Sequence, residues 1–329
     1  MKSRNPAILF PVTLIIMICC ATLWSGRGEG QEKRYPTRPI EVIVNMQPGG
    51  PVDQAARIIV NELTKELGVT ISIQYKAGAG GMVGAAHVST AEPDGYTLLT
   101  TGPGPMIGSP VVEKNCPYDP LKGFTPIVYF GNSPNVILTH ATSKLAAFEA
   151  LVKFAKEKPG ALTANTSGVG TTSHFVIEVM KMYGVEITHV PAKGAAPSLA
   201  NLLGKHVDLA IILYPPAVPH LRSGEIKMLA VTNKIAREPQ VPTLTEKGFP
   251  EAEILGAWQG FLAPPNLPKP IIDRLTGSLR KVIQTPSVVA TLENAGFTVE
   301  YLGPEEFKKK IERDLQVMEK VAKAAGLAK

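Results

Sequence analysis

Five times along this chain a short apolar run stops at a glycine- or proline-rich loop, and a helix-like pattern follows. The breaks fall at residues 48, 78, 167, 193 and 215. "IEVIV" runs into "NMQPGGPVDQAARIIVNEL", "VTISIQY" into "KAGAGGMVGAAHVSTA", and "ALTANT" into "SGVGTTSHFVIEVM". Apolar runs that alternate with helical patterns predict an α/β architecture with mostly parallel neighbouring strands. The chain has 329 residues, enough for two lobes at roughly 100–200 residues per domain. In open α/β sheets ligands bind outside the carboxyl ends of the strands. Two such lobes facing each other would bring all five loops to one cleft.

The first loop poses the chemical question. Gly49 and Gly50 stand between a strand and a helix start. Glycine allows a sharp turn there, and bare N–H groups at a helix start also form an anion site. The helix after the loop is predicted from Ala55, Ala56, Ile59, Val60, Leu63 and Leu67, with Gly68 as its stop.

The first 30 residues read as a secretory signal. Lys2 and Arg4 precede an apolar run from Ala7 to Trp24, with small residues Gly28 and Gly30 beyond it. A retained single-span anchor is the competing reading, since the run approaches the ~20 residues that cross a bilayer. Met17 and Ile18 before Cys19 do not suit a lipoprotein signal. Removing residues 1–30 takes three basic and one acidic residue from a balance of 34 against 28, so the net charge falls from +6 to +4. The exported part keeps only Cys116, so no internal disulfide forms. The expected location is the periplasm. Without a basic run or basic–aromatic stripe, nucleic acid is not an expected partner.

Catalytic signals are poor. "GAGGMVGA" holds Gly78, Gly80, Gly81 and Gly84 but lacks the lysine of a nucleotide loop and misses the dinucleotide fingerprint by one position. The six histidines (87, 140, 174, 189, 206 and 220) sit at no metal-ligand spacing. There is no H-E-x-x-H and no G-x-S-x-G elbow. No cofactor and no metal are expected. Asp53, at a helix start, reads as a cap worth ~0.5–1 kcal/mol, or as a group that orients the loop or meets a ligand amine. Trp258 reads as core before ligand platform, and packing is the first reading of His174. Thr166, Ser167, Thr171, Thr172 and Ser173 crowd one loop with Gly168 and Gly170. Hydroxyls and free helix N–H groups together hold a carboxylate without a buried counter-charge.

Several motifs together carry a family likeness. "YPTRPIEVIV…PGGPVDQAAR", "KAGAGGMVGA", "PDGYTLL", "CPYDPLKGFTPI", "HVPAKGAAPSLANLLGKHVDLA" and "AWQGFLAPPNLP" resemble the Bug/TctC family in order and spacing, from Tyr35 to Leu327. These are extracytoplasmic solute receptors of tripartite tricarboxylate transporters. The resemblance implies a two-lobed periplasmic-binding-protein fold. Each lobe would be a mostly parallel sheet flanked by helices, with residues 36–133 and 258–329 in one, 134–257 in the other, and a hinge between. It implies a monomer that closes on a small organic acid for a membrane permease or a sensor. The ligand carboxylate would be held by the "PGG" and "SGVGTTSH" loops, partly through ordered water. The implied site is Met46, Gln47, Gly49, Gly50 and Asp53; Gly80 and Gly81; Thr101 and Gly102; Ser167, Gly168, Thr171, Thr172, Ser173 and His174; Ala192, Lys193 and Gly194; and Ile212 and Tyr214.

This chain also departs from the family pattern. Met46 replaces a common aromatic, Gln47 a small residue, Pro51-Val52 a hydroxyl pair, and Ala192 another aromatic. Ile212 stands where the family often places an aspartate that meets the amine of amino-acid ligands. These changes argue against an amino-acid ligand and leave carboxylate binding in place. An exported α/β hydrolase acting on a small carboxylic ester is the alternative from another class.

Overall fold

A computed structural model describes residues 35–145 and 147–328. The expected signal segment, residues 1–30, lies outside the described residues. From Arg38 onward the chain forms one compact unit.

Its elements follow in order: β1 (Ile40–Val44), α1 (Pro51–Leu67), β2 (Ile71–Tyr75), α2 (Met82–Ser89), β3 (Thr97–Thr101), β4 (Thr125–Ser133) and β5 (Asn135–His140). Then come α3 (Phe148–Glu157), β6 (Thr163–Thr166), α4 (Thr172–Met182), β7 (Thr188–Pro191), α5 (Ala195–Leu203), β8 (Leu209–Leu213), α6 (Tyr214–Arg222) and β9 (Ile226–Val231). The last are β10 (Ala257–Ala263), α7 (Lys269–Ile283), α8 (Pro286–Asn294), β11 (Thr298–Leu302) and α9 (Pro304–Ala324).

Two sheets result, one in each lobe. The first runs β11-β4-β10-β3-β1-β2 and the second β7-β6-β8-β5-β9. The apolar spacing of α1 does what it predicts. Ala55, Ala56, Ile59, Val60, Leu63 and Leu67 are buried, and Gly68 ends the helix at a left-handed φ of 70°. In α9, Phe307, Ile311, Met318 and Ala322 form the buried face. Trp258 is 1% exposed and stands edge-on to Phe307, ring centres 5.1 Å apart, so it is core.

The sheets are mixed, where the sequence predicts mostly parallel ones. β1, β2 and β3 are parallel, as are β6, β7 and β8. The strands that run against the βα strands are β5 and β10, which bring the chain into a lobe, together with β11. β4 leaves the first sheet at Ser133, and β5 starts at Asn135 in the second. A strand that enters a lobe where the βα strands end must run against them, and β5 is antiparallel to β8. β10 enters the first sheet in the same way, antiparallel to β3 and β4. The crossing is tight: a Cβ on Gly256 would lie 2.4 Å from side-chain atoms of both Asn132 and Asn233.

Candidate functional site

The loops after β1, β2 and β3 are stitched together by Asn45, the residue that directly follows β1. It is fully buried. Its Nδ2 donates to the Gly81 carbonyl and to Thr101 Oγ1, both at 3.0 Å. Gly81 has φ +97°, and a Cβ there would lie 2.5 Å from Pro105 Cγ. A Cβ on Gly102 would lie 2.9 Å from the Trp258 carbonyl, which ties the β3 loop to the start of β10. Glycines 81 and 102 therefore permit close packing between loops.

In the loop after β1 the two glycines differ. Gly49 has φ +83°, a left-handed conformation that suits glycine. Gly50 caps α1 with φ −77° and ψ 172°, ordinary extended backbone. The turn requires only Gly49. Its N–H donates to Asp53 Oδ2 at 2.8 Å. Asp53 Oδ1 accepts from Tyr75 Oη at 2.7 Å and Arg57 Nε at 2.9 Å. Burial pushes the Asp53 carboxyl pKa up, but the bonds from Gly49, Tyr75 and Arg57 outweigh it and leave the pKa lowered. Asp53 thus orients the loop, with three protein donors on its carboxylate. Pro51 brings no N–H to the first turn of α1, and Gln54 N–H bonds the Gly50 carbonyl. The N–H groups of Val52 and Asp53 remain as first-turn donors. Met46 and Gln47, just before this turn, are exposed.

The hydroxyl loop between β6 and α4 holds itself by an ordered set of bonds. Thr171 caps α4, accepting the His174 N–H, and its own proton goes to the Gly168 carbonyl at 2.7 Å. Ser173 Oγ, 2.9 Å away, must then donate to Thr171, and it accepts the Ser167 N–H at 3.2 Å. His174 Nδ1 accepts the Gly170 N–H at 3.2 Å. Its proton therefore sits on Nε2, 3.5 Å from Glu178 Oε1. His189 stacks on His174 with ring centres 4.3 Å apart and lies 2.7 Å from Thr166 Oγ1. Burial lowers the His174 pKa. Burial and the neighbouring His174 push that of His189 down to about 4. Thr171, Ser173 and His174 are thus spent on the loop itself. Thr172 differs: its Oγ1 lies 2.9 Å from Asn135 Nδ2, and its N–H and that of Ser173 open the helix without intrahelical acceptors.

The β7 loop joins this one. Ala192 N–H donates to the Thr166 carbonyl and Gly194 N–H to the Ser167 carbonyl, both at 3.1 Å. Lys193 is exposed. The two lobes meet at the loops, since a Cβ on Gly108, in the turn after β3, would lie 3.5 Å from the Gly170 carbonyl. Gly80, with φ +65°, lies in the β2 loop beside Ser109 of that same segment. Two sequence candidates stand apart. Ile212 is fully buried in a core with Val136, Leu138 and Leu202, and the Tyr214 hydroxyl faces Glu238 at 3.4 Å.

Asn45 and Asn135 were not among the sequence candidates. Asn45 carried one usable signal, an amide set directly after the apolar run "IEVIV"; Asn135 carried none. Surface cavities of about 610 and 780 Å³ lie elsewhere, against Tyr118 and against Tyr214. Among the described residues no group of three His, Cys, Asp or Glu side chains could hold a metal ion. The one close hydroxyl–imidazole pair in the hydroxyl loop, Thr166 and His189, uses a threonine that is fully buried. It offers no exposed nucleophile to an ester.

The chain matches the model of the tripartite tricarboxylate transporter family receptor over residues 55–327. It is 30% identical to the protein BugT of Bordetella pertussis over 296 residues, covering 89% of this chain and 90% of that one. Among solved structures, the periplasmic binding protein BugD is 30% identical with a TM-score of 0.75, over 89% of this chain and 99% of that one. The R. palustris protein Rpa4515 with adipate is 31% identical with a TM-score of 0.78 over the same shares. The two mixed sheets flanked by helices match those of two-lobed periplasmic binding proteins, and the chain belongs to the tripartite tricarboxylate transporter receptor family.

Proposed function

We propose that this chain is an exported, periplasmic receptor that captures a small organic carboxylate between its lobes and passes it to a membrane permease or a sensor. Residues 36–133 with 258–329 form one lobe in this reading, and residues 134–257 the other. The binding protein does no chemistry of its own. The observation that carries the reading is the pair of helix starts at the loops. Val52 and Asp53 open α1, and Thr172 and Ser173 open α4, each with N–H groups that have no intrahelical acceptor. Such groups favour an anion through hydrogen bonding and the helix dipole together. A carboxylate that bridges both helix starts binds the closed form better than the open one, and a ligand shifts that equilibrium only by this difference. The relative solved with adipate supports the ligand class.

The test is calorimetry of the purified protein with succinate, adipate and citrate, each beside its fully amidated analogue. Small-angle scattering follows compaction. A carboxylate should bind and compact the protein, and its amide should do neither. The reading fails if none of the three carboxylates binds, and turnover of generic esters would then favour the hydrolase.

A further inference from the structure

Asn135 is the first residue of β5, directly after the chain crosses between the lobes at Pro134. It is 1% exposed. Its backbone N–H donates to Thr232 Oγ1 at 3.0 Å, and its carbonyl accepts the Thr232 N–H at 2.9 Å. Its side-chain Nδ2 lies 2.6 Å from the Leu255 carbonyl and 2.9 Å from Thr172 Oγ1. One side chain therefore joins the outgoing crossing, the returning segment near Leu255, and the first residue of α4.

The direction of these bonds is fixed by chemistry. A carbonyl only accepts, so the amide atom 2.6 Å from the Leu255 oxygen must be nitrogen. The orientation of the Asn135 amide is thus set by its partner. Both amide hydrogens are then committed, one to Leu255 and one to Thr172. Thr172 Oγ1 is an acceptor in that bond, so its own proton must point elsewhere. Among the described residues it has no other partner. Thr171 and Ser173 have used their protons inside the loop, and Thr172 has not.

We propose that Asn135 is a positioning residue for ligand selection: it holds the Thr172 hydroxyl as a donor, so that the site takes an ionised carboxylate in preference to its amide. This rests on the receptor reading above. The Thr172 O–H and the first-turn N–H groups of α1 and α4 then face the ligand as donors, and one of the two lone pairs of Thr172 Oγ1 is taken by Asn135. A carboxylate offers acceptors on both oxygens. An amide turns its own N–H groups toward one side of the site, and a donor facing a donor stays unpaired. If Asn135 is lost, both lone pairs of Thr172 Oγ1 are open and its proton has no fixed direction, so the hydroxyl accepts from an amide more readily.

The experiment compares wild type, Asn135→Ala, Asn135→Ser, Thr172→Val and the Asn135→Ala/Thr172→Val pair. The probe is the tightest binder among succinate, adipate and citrate, measured beside its monoamide by calorimetry. Thr172→Val should weaken carboxylate binding about tenfold or more, the loss of one hydrogen bond to a charged group. Asn135→Ala should weaken it by a comparable factor, and the pair should lose no more than Thr172→Val alone, since the two act as one unit. Both Asn135 variants should narrow the preference for the acid over the monoamide. A purely structural role would lower melting temperature and leave that ratio unchanged. If Asn135→Ala does not fold, Asn135→Ser, polar but too short to reach Thr172, carries the comparison. Losses that multiply in the double variant, or an unchanged acid-to-amide ratio, would overturn the role of Asn135 and leave the receptor reading standing. A wild type that binds none of the three acids would overturn both.

Discussion

The Gly49 N–H donates to the Asp53 carboxylate at 2.8 Å, across the first turn of the helix that Gly50 caps. The same carboxylate takes Tyr75 Oη and Arg57 Nε. One buried acid thereby fixes the β1 loop against β2. We predict that Asp53→Asn destabilises the protein at neutral pH by about one hydrogen bond to a charged group, ~1.5–3 kcal/mol. The Asp53 pKa is lowered on folding, so its contribution is present above the unfolded value of about 4 and is lost as pH falls through the folded value. The gap between wild type and Asp53→Asn should therefore close in acid. Urea unfolding at several pH values measures it; a constant gap down to pH 2 would mean that Asp53 carries no such linkage.

Three glycines at the site should respond differently to alanine. Gly49 has φ +83° and open space at its Cβ position, so Gly49→Ala meets only backbone strain, ~1–2 kcal/mol. Gly50 has extended backbone, with its Cβ position in ordinary contact 3.5 Å from the Gln47 carbonyl. Gly50→Ala should be near neutral for folding. Gly81 combines φ +97° with contacts of 2.5 Å to the Pro105 ring and 3.1 Å to Asn45 Nδ2. Gly81→Ala should be the most harmful, adding overpacking of about 1–3 kcal/mol to the strain. Denaturant midpoints that rank Gly50→Ala as worst would contradict the assignment of the turn to Gly49.

How much of this was legible follows from the reach of each signal. The face of α1 and its Gly68 stop are local, and spacing alone gives them. The strand–loop–helix rhythm locates β1, β2, β6, β7 and β8 because each of them feeds a helix. β4 and β11 went unread, since β4 feeds a lobe crossing and β11 has exposed or half-buried residues throughout. β11, with β5 and β10, is what turns the expected parallel sheets into mixed ones, while β4 runs with β1–β3. At the site, the glycine and hydroxyl loops are visible as strings. The division of labour within them is not. Thr171, Thr172 and Ser173 look alike in sequence, and only the placement of Asn135 and Gly168 separates a spent hydroxyl from a free one.

An amine on the ligand should weaken binding. Asp53, the buried acid at the loops, has three protein donors already. Ile212 is apolar and fully buried in the second lobe's core. An ammonium group brought into the cleft would therefore exchange water for donors, and an uncompensated buried charge costs several kcal/mol. We expect succinate to bind more tightly than aspartate, and glutarate more tightly than glutamate. Calorimetry at one pH compares each pair, and tighter binding of either amino acid would sink the prediction.

The stacked imidazoles make an acid-sensitive support for the hydroxyl loop. Burial lowers the pKa of both rings; for His189, to about 4, the charge of His174 adds to it. A neutral His174 can accept the Gly170 N–H through Nδ1; a doubly protonated ring cannot. In the unfolded chain each ring titrates near about 6.5. Between that value and the folded pKa the unfolded state binds more protons, so stability rises with pH there. The contribution is complete above about pH 6.5 and declines as pH falls toward 4. His189→Gln removes one of the two titrating rings and relieves the other of a neighbouring charge. We predict a shallower loss of stability between pH 7 and pH 4 in that variant than in wild type, by chemical unfolding at matched ionic strength. Identical profiles in the two proteins would show that the His174–His189 stack plays no part in the acid response.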